Sequence, residues 1–371
     1  MKIARFHSFS DFSDYRGTWE ALAADSPMMS PQWIIPWWRA YQSSFGNGSA
    51  DGELCLLGGM MDDHLVGIAP FYVDRSKGRT KKLRLLGDGK VCSDHITLLS
   101  QPGFGDRFVD GVADWLEGQV GETWDAAHWE CIDTDDSNMT RLVNQLGEKN
   151  LSIYRRDAVS SWQIELPQTW EGYLKSLSKN HRKRCRKWYR EWIESGKLQV
   201  VTVTQVDQLD EAFEMLCRLH NARRRSLGSP GAFEDQTFYG FHQQAARELM
   251  ATNKLRISFL MTSDGKPIAG EYQLLSHDTV FSYQSGVDPE FLDIGVGNIS
   301  VLMLIRTTFD DGYRTFDFLR GSESYKKSWS AEETKTFDVH INQKTLNGSL
   351  AYAKLGTKDW LRSVRSAVTS S

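Results

Sequence analysis

The feature that most constrains this chain is the stretch from Lys254 to Trp329, centred on the turn Asp293-Ile294-Gly295-Val296-Gly297. Two apolar runs precede it, KLRISFLMTSDGKPIAGEYQLLS and TVFSYQSGVD. Both carry the β-branched and aromatic residues of strands, and the first is expected to fold back at Asp264-Gly265. After the turn, the run from Asn298 to Phe309 has helical length, with Asn298 as its expected cap. A short strand over Thr315–Leu319 then leads through Arg320-Gly321 into Ser322-Glu-Ser-Tyr-Lys-Lys-Ser-Trp329. Strand, glycine turn, helix, strand is an anion-binding arrangement: glycines let the backbone approach, and the helix N-terminus presents unpaired N–H groups. A GxG before a helix is also an ordinary strand-to-helix connection, so the glycines alone leave both readings open.

The chain around this stretch has 371 residues, which predicts two domains. Its apolar and charged fractions are those of a globular protein, and thirteen tryptophans point to aromatic-rich cores or grooves. A net charge of −4 argues against general polyanion binding. The five cysteines are scattered without metal-ligand or disulfide spacing, so no metal is expected. The first residues lack the apolar core of a signal peptide, and no run is long enough to span a bilayer. The expectation is a reduced, cytoplasmic protein.

The first half reads as mixed α/β. Strands are expected at Lys2–Phe6, Glu53–Met61, His64–Val73, Leu83–Leu86, His95–Leu99 and Ala126–Ile132, and helices at Ser10–Ala24, Ser30–Tyr41, Asp106–Gln119 and Asn138–Lys149. Trp33, Trp37 and Tyr41 share a helix face at four-residue spacing, a core pattern before it is a ligand groove. The run Leu54…Met61-Asp-Asp-His64-Leu-Val-Gly-Ile echoes Leu255…Thr262-Ser-Asp-Gly-Lys266-Pro-Ile-Ala-Gly, as two copies of one unit would. No glycine turn before a helix is recognised in the first copy. Between the halves, Lys179–Arg190 is a basic helix with an incomplete apolar stripe of Leu174, Leu177, Trp188, Trp192 and Ile193. A solvated face, contact with an acidic acceptor, coenzyme phosphates and RNA all remain open for it. A strand at Leu198–Thr204, a helix at Asp207–Ser226, a closing strand at Thr336–Ile341 and a final helix at Leu350–Val364 complete the pattern.

Several segments carry a resemblance to the GNAT acyltransferase superfamily, most nearly its CelD-type family, which is related to the Fem-type aminoacyltransferases. They are Ser285-Gly-Val-Asp-Pro-Glu-Phe291, the Gly295/Gly297 turn, Phe316-Asp-Phe-Leu-Arg-Gly321 and Tyr325-Lys-Lys-Ser-Trp329. In the first half they are Trp33…Trp37-Trp38, Leu65–Phe71, Leu83–Gly87 and Ser93-Asp94-His95. The resemblance implies an α/β (α+β) chain of tandem GNAT-like domains, each a mixed central sheet flanked by helices. Their expected extents are 1–160, 161–345 with the coenzyme turn, and a tail over 346–371, joined near Val159–Glu171 with a cleft between the halves.

It further implies that Gly295, Val296, Gly297 and Asn298, with Tyr283 and Ser285, hold acetyl-CoA or another acyl-CoA as co-substrate. Superfamily members often carry Gln or Arg three residues before the first glycine, where this chain has Leu292. Tyr325 falls where a general acid is found, and Lys326 matches a lysine thought to stabilise developing charge. Glu271 and Asp317 are the carboxylates available to take the proton of an attacking amine. Arg320, Arg224 and His220 are candidates for holding the acceptor, and Arg320 has Glu323 as an alternative partner. For His220 a capping or packed histidine is the first reading, ahead of a general base, and Tyr325 reads equally as a ring packed on Trp329.

The function implied is N-acyl, and most simply N-acetyl, transfer from acyl-CoA to a small-molecule or glycan-precursor amine, with envelope polysaccharide formation suggested by the family name. A Fem-type transferase taking its donor from aminoacyl-tRNA, and a binding protein that keeps the fold without turnover, are the alternatives. Apart from tRNA in that case, nucleic acid is not an expected partner.

Overall fold

The computed structural model describes residues 1–48, 51–76, 80–149 and 151–343. The helix expected at Leu350–Val364 and the tail lie outside them. In the first half, β1 (Lys2–Phe6), α1 (Arg16–Leu22) and α2 (Pro31–Tyr41) precede the hairpin β2 (Glu53–Met61) and β3 (His64–Asp74). Then come β4 (Lys82–Leu85), β5 (Leu99–Ser100), α3 (Gly105–Gly118), β6 (Ala126–Asp133), α4 (Ser137–Glu148), β7 (Leu151–Asp157) and, as the last strand of this half, β8 (Ser161–Glu165). The second half runs α5 (Trp170–Ser176), α6 (Lys179–Trp188), β9 (Leu198–Val203), α7 (Leu209–Ser226), α8 (Gln236–Ala251), β10 (Leu255–Thr262) and β11 (Pro267–Leu275). It closes with β12 (Thr279–Val287), α9 (Val296–Asp310), β13 (Thr315–Arg320), α10 (Tyr325–Ser328), β14 (Glu332–Thr334) and β15 (Thr336–Gln343).

Local chemistry accounts for much of this. Asp62 and Asp63 both take left-handed φ values, 47° and 62°, which is the two-residue turn whose twist suits a hairpin. Asp136 caps α4 by accepting from Met139 N at 2.9 Å, and Asp235 caps α8 through Thr237 N and Phe238 N. Pro36 lies inside α2, where Trp33, Trp37 and Tyr41 are all buried, so the aromatic face is core.

The elements form two mixed α/β sheets flanked by helices, with the same order in each. The first sheet runs β1-β2-β3-β4-β6-β15-β7, with β5 also on β3, and the second runs β9-β10-β11-β12-β13-β8-β14. In each, a single pair among the described strands is parallel, β4 with β6 and β12 with β13. The sixth place in each sheet is filled by the other half. Strand β15, expected to close the second domain, inserts between β6 and β7 of the first. Strand β8 inserts between β13 and β14 of the second. The halves therefore exchange a strand reciprocally.

Other expectations change as well. A glycine turn, Gly103-Phe104-Gly105, does lead α3 at the place equivalent to Gly295–Gly297, with Asp106 in the first helical turn. The long loop between β4 and β5 hides this from the sequence echo. Of the strand expected at His95–Leu99 only Leu99 pairs, and His95 instead bonds Asp133 and, in the second half, Asp317. Asn298 is not the cap of α9, which begins at Val296. The basic helix ends in a π-helical turn over Tyr189–Glu194, and β7, β8 and α8 were not anticipated.

The halves also share core. Trp33 of α2 sits edge-on to Phe241 of α8 at 4.9 Å and to Tyr283 of β12 at 5.1 Å. Val339, fully buried, pairs with Trp129 on one side and Arg155 on the other. Val339→Pro removes a ladder donor in a central strand and is expected to cost about 3 kcal/mol or more. Urea unfolding of the full chain checks this, and the loss should appear in the first sheet although the residue follows the whole second half in sequence.

Candidate active site

The site is built where β12 and β13 part. Their register holds for Thr279↔Thr315, Val280↔Phe316 and Phe281↔Asp317 and then stops. Strand β12 continues to Val287 against β11, whereas β13 turns away at Leu319, whose φ is 57°. No hydrogen bond joins residues 282–287 to 318–320 among those described, so a wedge opens between the strands. The equivalent wedge in the first half is filled. Arg84 of β4 bonds Asp88 at 2.6 Å and Glu130 of β6 at 2.7 Å, and Tyr72 donates to Asp88.

At the second wedge stand Glu271 and Tyr325, near enough for the carboxylate's charge to act on the phenol. Glu271 is buried and accepts from Ser282 Oγ on β12. Burial, opposed only by that hydroxyl, pushes its carboxyl up to about 8. Tyr325 is 43% exposed and sits edge-on to Phe318 at 5.9 Å, not on Trp329. Burial of its phenol, then the charges of Glu271 and Glu323, raise it above 10.0. A carboxyl poised near neutrality beside a protonated phenol at the mouth of an open strand edge is a proton-transfer arrangement.

Lys326 lies under the same strand end. Its Nζ is buried and donates to the carbonyls of Phe318 at 3.3 Å, Leu319 at 3.1 Å and Arg320 at 3.0 Å, with Glu323 at 3.2 Å. Glu323 thus pairs with Lys326, and Arg320 turns to the first half instead. The Arg320 side chain bonds both Asp94 and the Ser93 carbonyl, and its Nη1 donates to Cys131 Sγ at 3.1 Å.

Asp317 is buried on the opposite sheet face from Glu271. One oxygen accepts from Leu319 N at 2.6 Å, and the other meets His95 Nε2 at 3.1 Å. His95 Nδ1 bonds Asp133 at 2.6 Å, and these two carboxylates outweigh burial to hold the imidazole well above 6.5. Cys92, His95, Cys131 and Leu319 are all left-handed non-glycine residues, so backbone strain is concentrated where the halves meet. A cavity of about 190 Å³ opens beside them, lined by Met28, Asp94, His95, Gln163, Phe281 and Asp317.

The glycine turn stands at the far end of β12. Gly295 has φ 78° and leads α9 with no side-chain cap and no acidic residue in the first turn. A Cβ on Gly297 would meet nothing within 4 Å, and on Gly295 it would lie 3.9 Å from the Trp188 indole of α6. The N–H groups of Val296 and Gly297 lie in the first turn, where a helix supplies no partner. This start suits an anion such as a pyrophosphate, and Leu292, 39% exposed, offers it no side-chain anchor.

The remaining candidates are dispersed. Tyr283 donates to Val91 O at 2.6 Å and also meets His242. Ser285 is exposed, and its carbonyl meets His220 Nδ1 at 2.8 Å. His220 Nε2 meets Ala232 N, and burial lowers the ring below 6.5, as for a packed histidine. A Cβ on Gly286 would lie 2.2 Å from His220 N, so α7 can pack on β12 only at a glycine. Arg224 is exposed at the end of α7. The roles of Asp94, Ser282 and Trp188 were not foreseen. Ser93-Asp94-His95, one of the segments that carry the family resemblance, was the available signal for the first.

Residues 179–327 match a family model described as an acetyltransferase (GNAT) domain. No curated protein matches the chain in sequence. Among solved structures, FemX superposes with a TM-score of 0.60 at 9% identity, covering 91% of this chain and 97% of that one. L-PGS from Bacillus licheniformis superposes with a TM-score of 0.52 at 11% identity, covering 87% and 95%. At such identities the likeness is one of fold, and the fold is that of GNAT-like domains in tandem. Among the described residues no helix is long and apolar enough to cross a membrane, and no group of three or more His, Cys, Asp or Glu residues is placed to hold a metal ion.

The raised Glu271 carboxyl makes a prediction that needs no substrate. Between its ordinary 4.5 and about 8 the folded chain keeps this proton while the unfolded chain has lost it, so stability falls as pH rises through that window. The slope is about 1.4 kcal/mol per pH unit. Glu271→Gln removes it. In urea unfolding the variant should gain on the parent between pH 5 and pH 8 by roughly 3–4 kcal/mol; parallel pH profiles would contradict the assignment.

Proposed function

We propose that the chain is an acyl-CoA-dependent N-acyltransferase whose chemistry takes place at the β12–β13 wedge. The observation that carries this is the open wedge itself, joined by β12 to an uncapped, glycine-led helix and holding a raised carboxyl beside a phenol. The match of residues 179–327 to an acetyltransferase domain supports it. Bound at the wedge, acyl-CoA supplies an acyl group activated as a thioester. The first turn of α9, at Val296, Gly297 and Asn298, binds the phosphates, with Gly295 admitting them and Tyr283 and Ser285 belonging to the strand that leads there.

Glu271 takes the proton of the attacking amine, directly or through water. Only the ionised carboxylate accepts that proton, and a group that titrates near the working pH joins a usable ionised fraction to a basicity above that of an ordinary carboxylate. Tyr325 holds its proton at neutral pH and gives it to the departing thiolate. Asp317 and Arg320, tied to His95 and Asp94, shape the acceptor side where the two halves meet, with His220 and Arg224 further out. The acceptor is an amine of a small molecule or glycan precursor, and no metal takes part. The protein works in the cytoplasm.

A second reading rests on α6. Lys179, Lys183 and Arg184 are exposed, and Arg184 lies over the Trp188 ring at 5.8 Å, beside the glycine turn. A basic face there suits the phosphates of an aminoacyl-tRNA, the donor of a Fem-type transferase.

Thermal unfolding with acetyl-CoA separates the two. At a hundred times the dissociation constant the coenzyme should stabilise the fold by about 2.7 kcal/mol; no shift at millimolar coenzyme would favour the tRNA donor or a binding protein without turnover. Gly297→Glu places a carboxylate at the phosphate position and should abolish that shift while leaving the fold intact. With an amine acceptor in hand, Tyr325→Phe keeps the contact with Phe318 and should lower kcat by about a hundred- to ten-thousandfold with little change in donor affinity. A kcat within about twofold of the parent would remove Tyr325 from the mechanism.

A further inference from the structure

The wedge has a cause that can be followed atom by atom. In a regular strand successive carbonyls point to opposite sides, so one amine cannot reach three in a row. Here Lys326 Nζ gathers the carbonyls of Phe318, Leu319 and Arg320 at 3.3, 3.1 and 3.0 Å. The carbonyl of Gly321 accepts from Trp162 Nε1 at 2.9 Å. The donors are satisfied as fully. Leu319 N bonds Asp317 Oδ1 at 2.6 Å, Arg320 N bonds Asp94 Oδ2 at 2.6 Å, and Gly321 N bonds Ser160 O at 3.0 Å. From Leu319 to Gly321 each backbone N–H and C=O already has a partner, and β12 supplies none of them.

A buried backbone group must be paired somewhere, and the partner it takes decides where the chain runs. Three of these partners are buried side chains reaching in from outside the strand, the indole of Trp162 and two charged groups, Asp94 from the loop between β4 and β5 and Lys326 from α10. Asp94 holds Arg320 twice, through the backbone N–H and through the guanidinium. Its neighbours Cys92 and His95 are left-handed, so the loop keeps an unfavourable backbone to present it.

We propose that Asp94, from the first half, and Lys326 are positioning residues that hold the β12–β13 wedge open, so that the first half completes the donor slot of the second. The link to a donor rests on the acyl-CoA reading above, whereas the wedge itself does not. Lys326 then acts on the backbone beneath the reacting groups and not on the reacting charge. Removing Lys326 leaves three consecutive carbonyls without that partner, and removing Asp94 frees the Arg320 N–H, so in either case β13 loses bonds that hold it away from β12.

Asp94→Asn and Lys326→Met, each in the full chain, test this by hydrogen exchange and by calorimetry with acetyl-CoA. The amides of Leu319, Arg320 and Gly321 should exchange at least tenfold faster in both variants, while those of β10 and β11 keep parental rates. Parental exchange at all three amides would overturn the proposal, and so would acceleration spread evenly over the second sheet, which is the mark of general destabilisation. If the parent binds acetyl-CoA, both variants should bind it at least tenfold more weakly, and unchanged affinity overturns the positioning role. If the parent binds none, the acyl-CoA reading fails, and the exchange rates still decide the wedge.

Discussion

The reciprocal exchange of β8 and β15 is the constraint on which the rest of the molecule depends. Each sheet has its sixth strand from the other half, so each ladder is closed by hydrogen bonds between segments far apart in sequence. Neither half can complete its own sheet. Two GNAT-like units joined by a linker would be free to change their mutual angle; here the linkage is two inserted strands, each antiparallel to both of its neighbours, plus the aromatic contact of α2 with α8. The relative position of the halves is therefore part of the fold, and a loop of one can serve as a fixed wall of the other.

That fixity makes the polar junction workable. Asp94, Asp317 and Lys326 are buried, and a buried charge without a partner is strongly destabilising. Each is bonded, several of them twice or more, by groups from a different element. Such a network is stable only when every member is in place, and it rewards a single arrangement of the two halves. The four left-handed residues around it show the backbone holding unfavourable conformations so that these bonds can form.

The two halves share an order of elements but have diverged at the wedge. In the first, Arg84 ties β4 to β6 through Glu130 and is itself braced by Asp88. Its turn at Gly103-Phe104-Gly105 is followed by Asp106, whose charge disfavours an anion at that helix start. In the second half the first turn of α9 has no acidic residue, and Glu271 has a hydroxyl rather than a cation for a partner. One copy has turned its wedge into structure while the other has kept it open.

The amino-acid sequence by itself determined the local pieces. The glycine turn before an apolar helix, the hairpin at Asp62-Asp63 and the alternating runs around it are all fixed by residues near one another in the chain. The tandem architecture came from the family resemblance, with which the repeated strand, turn and strand agreed. Tertiary structure alone decided the rest. That β15 leaves the second sheet for the first depends on which edge of β6 and β7 stands open, and nothing within Thr336–Gln343 encodes that edge. Arg320 pairs with Asp94 and not with nearby Glu323 because the strand exchange brings the first half to it. Lys326, expected from its motif to face developing charge, instead meets three carbonyls of β13 where the strand leaves β12. Periodicity reports which face of a strand is apolar; it carries no record of the distant group that will satisfy a backbone N–H once the chain has closed on itself.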